Sequence, residues 1–592
     1  MALIKNISLL VILTVLFFPE HSVGQVPDNA IVLEGATLIS PERGQPLENS
    51  VIIVHGDRFQ TVTVEGSINY PDNAQVVELD GKFIIPGLVD THIHYRNWLH
   101  DLLLVNGTTS ILDLGNPIIW TSAVSEGIEK GKIRGPRMFY TGEHLDLEGP
   151  KIDHYWIHHG FLDSWTSGVV LDTSPANLVP DRAIGRHKYF ATSPQRGREL
   201  VRSFYTQGAS AIKVHHSLEP EVLKAVTDEA HQAGIPVVGH RQSAWEVIEL
   251  GMDFIEHTSP VAIATITDAD DLERVKQGRV LDPHHLMDTS AFPGLIEDLI
   301  EHNVYFNPTL SGTWRGINHR TDEYRAETLE YFGNPDLKYV PQAYVQKYLD
   351  HFSRFERINN EEVEMLKTGY EKVERFINEF SSAGGKLLAG SDPVNTGIPG
   401  LGIHREMQLM VDAGVSPLEA LKSATIYAAE LINKGSDIGT VESGKLADLV
   451  VLSGNPLANI ENTKDVEQVM LSGKFVDLAF QPDYQIPIPR TEVESIGSSR
   501  NAKIFDMLPS TTVAGLQSSV EITFKGQFLP TSVVVFDGIE VDTEFDDPTT
   551  IRALLPGDLL DSVGTYSVKV INPVTGGDIA NSNTVYFLVK YP

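Results

Sequence analysis

Two histidines one residue apart, His92 and His94, close the run Pro86-Gly87-Leu88-Val89-Asp90-Thr91-His92-Ile93-His94. On a β-strand residues i and i+2 face the same side, so the two imidazoles converge and supply half of a metal site. A His-x-His pair alone is weak evidence, because chance pairs occur in many chains. Further donors close other short apolar runs. His240 follows Ile235-Pro-Val-Val-Gly, His257 follows Met252-Asp-Phe-Ile-Glu, and Asp392 follows Lys386-Leu-Leu-Ala-Gly-Ser. Lys213 lies inside the run Ala211-Ile212-Lys213-Val214. An unpaired ammonium is costly to bury, so Lys213 is either paired or chemically changed. The chain has 0 Cys, which removes disulfides, thiolate ligands and thiol chemistry. The nitrogen and oxygen donors that remain suit zinc, with manganese or iron behind it.

These positions need a scaffold that gathers strand ends. From about Phe83, strand-like runs alternate with amphipathic stretches of helix length, such as Pro220 to Ala233 with Val222, Leu223, Val226 and Ala230 on one face. Such alternation means a parallel sheet covered by helices. At this length it predicts an α/β fold, an eight-stranded (β/α)8 barrel over 86–437, whose active site lies at the C-terminal ends of the strands. Ser416-Pro417-Leu418-Glu419 is a capping box with proline at the first helical position, and Gly435 follows the last turn. Before the barrel, Ile31 to Leu79 reads as short alternating strands broken by Gly and Asp. After it, Gly444 to Leu452 and Val469-Met-Leu return to strands. The two flanks, 25–85 and 438–480, are expected to form one composite β-sandwich with the barrel inserted. The proline-bearing segment 481–490 reads as a linker, and 491–592 as a separate all-β sandwich.

Taken in order, Pro86–His94, Ile212-Lys213-Val214, Gly239-His240, Ile255-Glu256-His257, Ala389–Asp392, Pro417–Ala429 and Gly444–Leu452 resemble the amidohydrolase superfamily, in particular its imidazolonepropionase-like and prolidase-like branch. The resemblance covers roughly residues 30–480. It implies a binuclear metal site with His92, His94 and Asp392 on one ion and His240 and His257 on the other. It also implies that Lys213 is carboxylated by CO2 and bridges both ions. The activity it implies is hydrolysis of a C–N bond in an amide, dipeptide or N-acyl amino acid by a hydroxide bridging two divalent ions, zinc first among them. Asp392 then moves the proton. The C-terminal segment resembles IPT/TIG Ig-like modules at Phe536-Asp-Gly, Leu554-Leu-Pro, Val570-Ile-Asn-Pro and Ser582-Asn583. A module of that kind leaves open a contact with an extracellular protein or glycan.

Three residues are candidates for contacting substrate. His144 belongs to the His- and aromatic-rich segment Thr141–Ser193, which also holds His154, Tyr155, Trp156, His158 and His159. Arg241 stands where many members of the family it resembles carry a small residue, and its cation either meets a substrate carboxylate or forms a structural salt bridge. His404 follows Asp392 on the last loop. Both 141–193 and 260–360 are long for simple crossovers and are expected to fold over the barrel mouth as lids. His55, His284, His285 and His302 read as ordinary surface or loop residues.

At the N-terminus, Lys5 precedes the apolar stretch Ile7 to Phe18, and Ser22-Val23-Gly24 follows. This reads as a secretory signal over 1–24, shorter than a membrane span, so the protein is expected to be exported, periplasmic or secreted. In 592 residues, 46 Lys+Arg face 79 Asp+Glu, a formal net charge of −33. A field of that sign repels phosphate backbones and argues against a nucleic-acid partner. Two other functions stay open: an ester, lactone or organophosphate hydrolase using the same metals, and a non-catalytic extracellular binding protein.

Overall fold

The computed structural model describes residues 29–71, 74–116, 118–146, 191–215, 218–314, 316–340, 342–352, 358–393, 397–484, 502–515, 518–528, 532–547, 549–573, 579–582 and 584–590. The expected signal segment, the histidines at 154, 158 and 159, and the expected linker beyond Tyr484 lie outside them. The chain opens with β1 (Ile31–Leu38), β2 (Leu47–His55), β3 (Arg58–Val64), β4 (Gln75–Glu78) and β5 (Phe83–Pro86). β1 pairs antiparallel with β2 and parallel with β4 and β5. Alternation in β1 and β2 splits the side chains between two faces: Leu33, Ala36, Ile52 and Val54 on one, Val32, Val51 and Ile53 on the other.

β5 runs into the barrel through Gly87. A Cβ at this glycine would stand 2.1 Å from Thr109 Oγ1, so no larger residue fits between the sheet and the barrel. The barrel strands are β6 (Leu88–Ile93), β7 (Thr108–Asp113), β8 (Arg137–Tyr140), β9 (Ile212–Val214), β10 (Val237–Gly239), β11 (Phe254–Glu256) and β12 (Tyr305–Asn307), joined by the extended run Lys386–Ala389 in eighth place. β6–β7–β8, β9–β10 and β11–β12 pair parallel. A parallel bridge ties Leu145, just past the third strand, to Val214 of the fourth, and Phe306↔Leu387 joins the seventh and eighth. Asp253 N donates to Val237 O at 3.0 Å between the fifth and sixth, and Thr91 N to Ala389 O at 3.1 Å closes the ring. Every residue of β6 and β7 is buried, as parallel strands covered by helices require.

The helix Pro220–Gln232 buries Val222, Leu223, Val226 and Ala230 against this barrel, the face expected from their spacing. The capped segment at Ser416 differs from expectation. Ser416 accepts from Glu419 N, but the helix stops at Ser423 and a second one runs Ile426–Leu431. The break falls where the Ser423 and Ala424 carbonyls accept from Ala389 N and Val89 N. Those carbonyls leave the helical ladder to hold the eighth and first barrel strands together. Glu419 does not close the box; its carboxylate takes Lys422 and Tyr427 instead.

After the barrel come β13 (Leu449–Leu452), β14 (Val466–Leu471) and β15 (Lys474–Phe475). They complete the first sheet in the order β15-β14-β13-β5-β1-β2-β3, with β13 antiparallel to β5. The first residues of the expected linker pack on the barrel. Gln481 N donates to Asp101 Oδ2 at 2.6 Å, Arg134 N donates to the Tyr484 hydroxyl at 2.7 Å, and the Tyr484 ring lies 4.6 Å from that of His100. The last unit holds β16 (Lys503–Leu508), β17 (Thr511–Val513), β18 (Val520–Gln527), β19 (Val533–Phe536), β20 (Ile539–Asp547), β21 (Thr550–Leu555), β22 (Gly564–Pro573), β23 (Ile579–Asn581) and β24 (Val585–Lys590). Its own core includes Ile504, Phe524, Phe536, Ile551, Val568 and Phe587. The β19–β20 turn is Asp537-Gly538, both at positive φ, as a tight hairpin turn demands.

Candidate metal centre

The barrel gathers the expected donors at its C-terminal end. His92 lies in β6 and His94 just beyond it, His240 and His257 follow β10 and β11, and Asp392 follows the eighth strand. Asp392 Oδ1 stands 3.8 Å from His92 Nε2 and 3.6 Å from His94 Nε2. The His92 and His257 rings are 5.2 Å apart, and His240 stacks on His257 at 5.0 Å. Two donor groups result, His92–His94–Asp392 and His92–Glu256–His257, each with ligand atoms within 4.8 Å of one another. Metal–ligand bonds of ~2.1 Å in a tetrahedron put ligand atoms roughly 3.4 Å apart, so both groups are close to closing on an ion. Behind them, Gly390 leaves no room for a side chain: a Cβ there would stand 2.6 Å from His92 Cβ and 2.3 Å from Asn307 Nδ2.

Two of the donors sit on strained backbone. His257 has φ 61° and Asp392 φ 44°, the left-handed region that costs non-glycine residues energy. Cross-links hold them there. Asp392 N donates to His92 O at 2.9 Å, and His257 N to Asn307 O at 2.9 Å. Asp90 accepts from Ser391 N and His92 N, at 3.0 and 3.1 Å, and from the Ser391 hydroxyl.

Burial, helped by the nearby Lys213 cation, holds His92 and His94 well below the usual imidazole range and pushes His257 down to about 3. They are therefore neutral near pH 7, with a lone pair available to a metal. Lys213 and Glu256 form a fully buried ion pair, and Glu256 Oε2 is also 3.2 Å from His240 Nε2. Burial lowers Lys213 and raises Glu256, while their mutual attraction opposes both shifts. Of the two fates open to Lys213, the structure displays pairing. His92 Nδ1 and Glu256 Oε1 are buried without a hydrogen-bond partner, and such atoms are costly unless a ligand takes them up. Neutral imidazoles, carboxylates and unsatisfied polar atoms together fit divalent metal.

Of the three substrate-contact candidates, His144 belongs to the site. Its ring is 6.5 Å from His94 and stacks at 6.1 Å on His215. Arg241 engages Glu246, with Nη2 at 2.8 Å, and the Leu218 carbonyl, as the salt-bridge alternative expects. His404 lies elsewhere. Its ring nitrogens engage Thr463 Oγ1 at 3.0 Å and the carbonyl of Asn106, at 2.9 Å. Asn106 precedes β7, so this contact is at the opposite end of the strand from the donors, where the helix after Asp392 carries residue 404. His284 is not a surface residue. It is buried between Asp282, at 2.7 Å, and Thr258 Oγ1, at 2.8 Å.

Sequence reading passed over Glu256, His215, Asp146 and Arg96. His215 stands two residues after Lys213, an i, i+2 signal like that of His92 and His94. It meets Asp146 at 3.5 Å and the His240 ring at 5.4 Å. Arg96 extends the His92-x-His94 spacing by one step and donates to the carbonyls of His94 and Tyr95. Of the expected lids, 147–190 lies outside the described residues. The helix Gln342–Phe352 packs on loops at the mouth: Tyr344 lies 5.1 Å from Trp98, and the Tyr348 hydroxyl donates to Pro393 O at 2.5 Å.

A parallel (β/α)8 barrel with histidines and a carboxylate converging at its C-terminal mouth defines the class of barrel proteins built to hold divalent metal there. Residues 83–476 match the Amidohydrolase family. The chain belongs to that family. Adenine deaminase 2 of Bradyrhizobium sp. (strain ORS 278) is 24% identical over 273 residues, which is 40% of this chain and 42% of that protein. This chain thus spans less than half the length of that curated relative. A crystal structure of a Xaa-Pro dipeptidase with methionine bound in its active site superposes with a TM-score of 0.51 at 19% identity, over 76% of this chain and 100% of the other. Molinate hydrolase gives 0.54 at 19% identity, over 76% and 95%. At such identities these structural likenesses show the fold alone.

Proposed function

We propose that this protein is an exported, binuclear metal-dependent hydrolase that cleaves a C–N bond in dipeptides, N-acyl amino acids or related amides. The observation that carries the reading is the convergence at the barrel mouth of His92, His94 and Asp392, with His257 beside His92 and His240 stacked on His257. Bound divalent ions would supply a nucleophilic water at neutral pH and polarise the scissile carbonyl. His92, His94 and Asp392 would hold one ion and His240 and His257 the other, with Lys213, once carboxylated, shared between them. Asp392 faces both His92 and His94, and its carboxylate would take the proton of the attacking water and return it to the departing amine. His144 and His215 line the same mouth and would orient the substrate. The adenine deaminase among the curated relatives is named for a reaction at a C–N bond, which supports C–N hydrolysis over ester or lactone cleavage. The apolar stretch Ile7–Phe18 supports export.

Zinc-loaded protein assayed against dipeptides, N-acyl amino acids and lactones tests this. Amide turnover with close to two ions per chain is the expected result. Turnover of lactones or esters alone would replace the amide assignment, and a protein that takes up no metal with bicarbonate present would leave only a binding role.

A further inference from the structure

Beyond the donors, the structure assigns a positioning role to Thr309: its hydroxyl fixes the ring of His257, and Glu406 makes this possible by capping the helix that Thr309 begins. The inference rests on the reading of His257 as a metal ligand. Three observations carry it. Thr309 Oγ1 lies 2.6 Å from His257 Nδ1. With Nδ1 turned to the hydroxyl, the opposite ring nitrogen, Nε2, is left for the cluster formed with His92 and His240.

Thr309 also occupies the N-cap of the short helix Leu310–Thr313 but makes no side-chain capping bond. A threonine at that position ordinarily turns its oxygen to the second or third N–H of the helix. Here the carboxyl group of Glu406 takes over. Its two oxygens accept from Leu310 N and Ser311 N, both at 2.8 Å, from a helix almost a hundred residues further along the chain. The threonine oxygen is thereby released from local capping.

The third observation is the backbone of Thr309, at φ 48° and ψ 47°. A β-branched residue in the left-handed region is strained, and such strain persists only where the surroundings impose it. An extended N-cap conformation would aim the hydroxyl along its own helix, and the left-handed one aims it at His257. Thr309 is fully buried, so water cannot stand in for the contact. Hydrogen bonds of this kind set the tautomer and orientation of ligating histidines, and their loss weakens metal binding roughly 10–100-fold.

The test is zinc affinity, measured by chelator competition on the full chain, together with the tautomer of His257 read by nitrogen NMR. Thr309→Val keeps the volume and branching but removes the oxygen. It should weaken the more labile zinc by roughly 10–100-fold and, in the metal-free chain, let His257 populate its Nε2–H tautomer beside the Nδ1–H form. Thr309→Ser should restore both. Glu406→Gln keeps the packing but replaces one capping oxygen with an amide NH2, and should give an intermediate loss. Unchanged zinc affinity and tautomer in folded Thr309→Val overturns the inference while the proposed function stands. A wild-type chain that binds no zinc overturns both.

Discussion

At the level of single residues, the site is a balance of charge in a dry space. Lys213 and Glu256 neutralise each other at 0% exposure, directly beneath neutral histidines. An ammonium that stayed beside two divalent ions would be strongly repelled at a few ångströms, and a carbamate removes that conflict. Lys213→Ala should therefore lower metal content and activity together, with short carboxylic acids restoring part of the activity. Lys213→Arg should do no better, because guanidinium stays protonated. Elemental analysis beside a rate assay checks both, and a fully active two-metal enzyme with a bare amine in a carbon NMR spectrum would sink the bridging role. Asp392→Asn removes the proposed proton acceptor and should cost about 10²–10⁴-fold in kcat at saturating metal.

At the level of elements, the mouth depends on ties between non-adjacent strands. Ser391 donates through both backbone and side chain to Asp90, which also takes His92 N. Ser391→Ala would leave one Asp90 oxygen unsatisfied in a buried site, at a cost of about 1–3 kcal/mol, read as a shifted urea midpoint and looser metal binding. The helix Asn360–Ser382 carries a second titratable strain. Burial first, then Asp412 and Glu371, push Glu374 up to about 7. Below that value the folded chain keeps a proton which the unfolded chain releases above about 4.5. Stability due to this group is therefore present at pH 4.5 and is lost as pH rises through about 7. Glu374→Gln should flatten that part of the profile, raising stability at pH 8 by on the order of 1–2 kcal/mol, given the group's partial exposure. Equal midpoints for the two proteins at pH 5 and pH 8 would contradict this.

For the molecule as a whole, the boundary between catalytic and C-terminal units follows Tyr484. Tyr484 and Gln481 pack on Arg134, Asp101 and His100, while Ile504 to Val589 have a core of their own. A chain ending just after Tyr484 should fold and keep its activity on small substrates. A chain ending after Phe475 should be less stable, since it strips Tyr484 from His100 and leaves the buried Asp101 short of a donor. Thermal melts of the two truncated chains separate these outcomes. If the longer one folds but is inactive, the C-terminal unit contributes to the site.

The strand-end donors and the barrel were legible because both follow from local rules. Period-2 and period-3.6 patterns identify strands and helices, and a barrel of alternating strands and helices places the residue after each strand at one mouth. That was sufficient to find His92, His94, His240, His257 and Asp392. Glu256 was not legible, because within β11 it reads as one more residue of a buried strand, and only the closed barrel brings it to Lys213. His404 misled for the opposite reason: nearness to Asp392 in sequence says nothing about which end of the strands a following helix faces. His284 read as a loop residue because its partners, Thr258 and Asp282, are assembled by packing and not by spacing. The tie from Glu406 to the start of the Leu310 helix, which turns Thr309 toward His257, spans almost a hundred residues. Sequence by itself determined the barrel and the strand ends at which the candidate donors stand. Tertiary structure alone decided their counter-ions, tautomers and orientations, because these depend on contacts between strands and helices far apart in the chain.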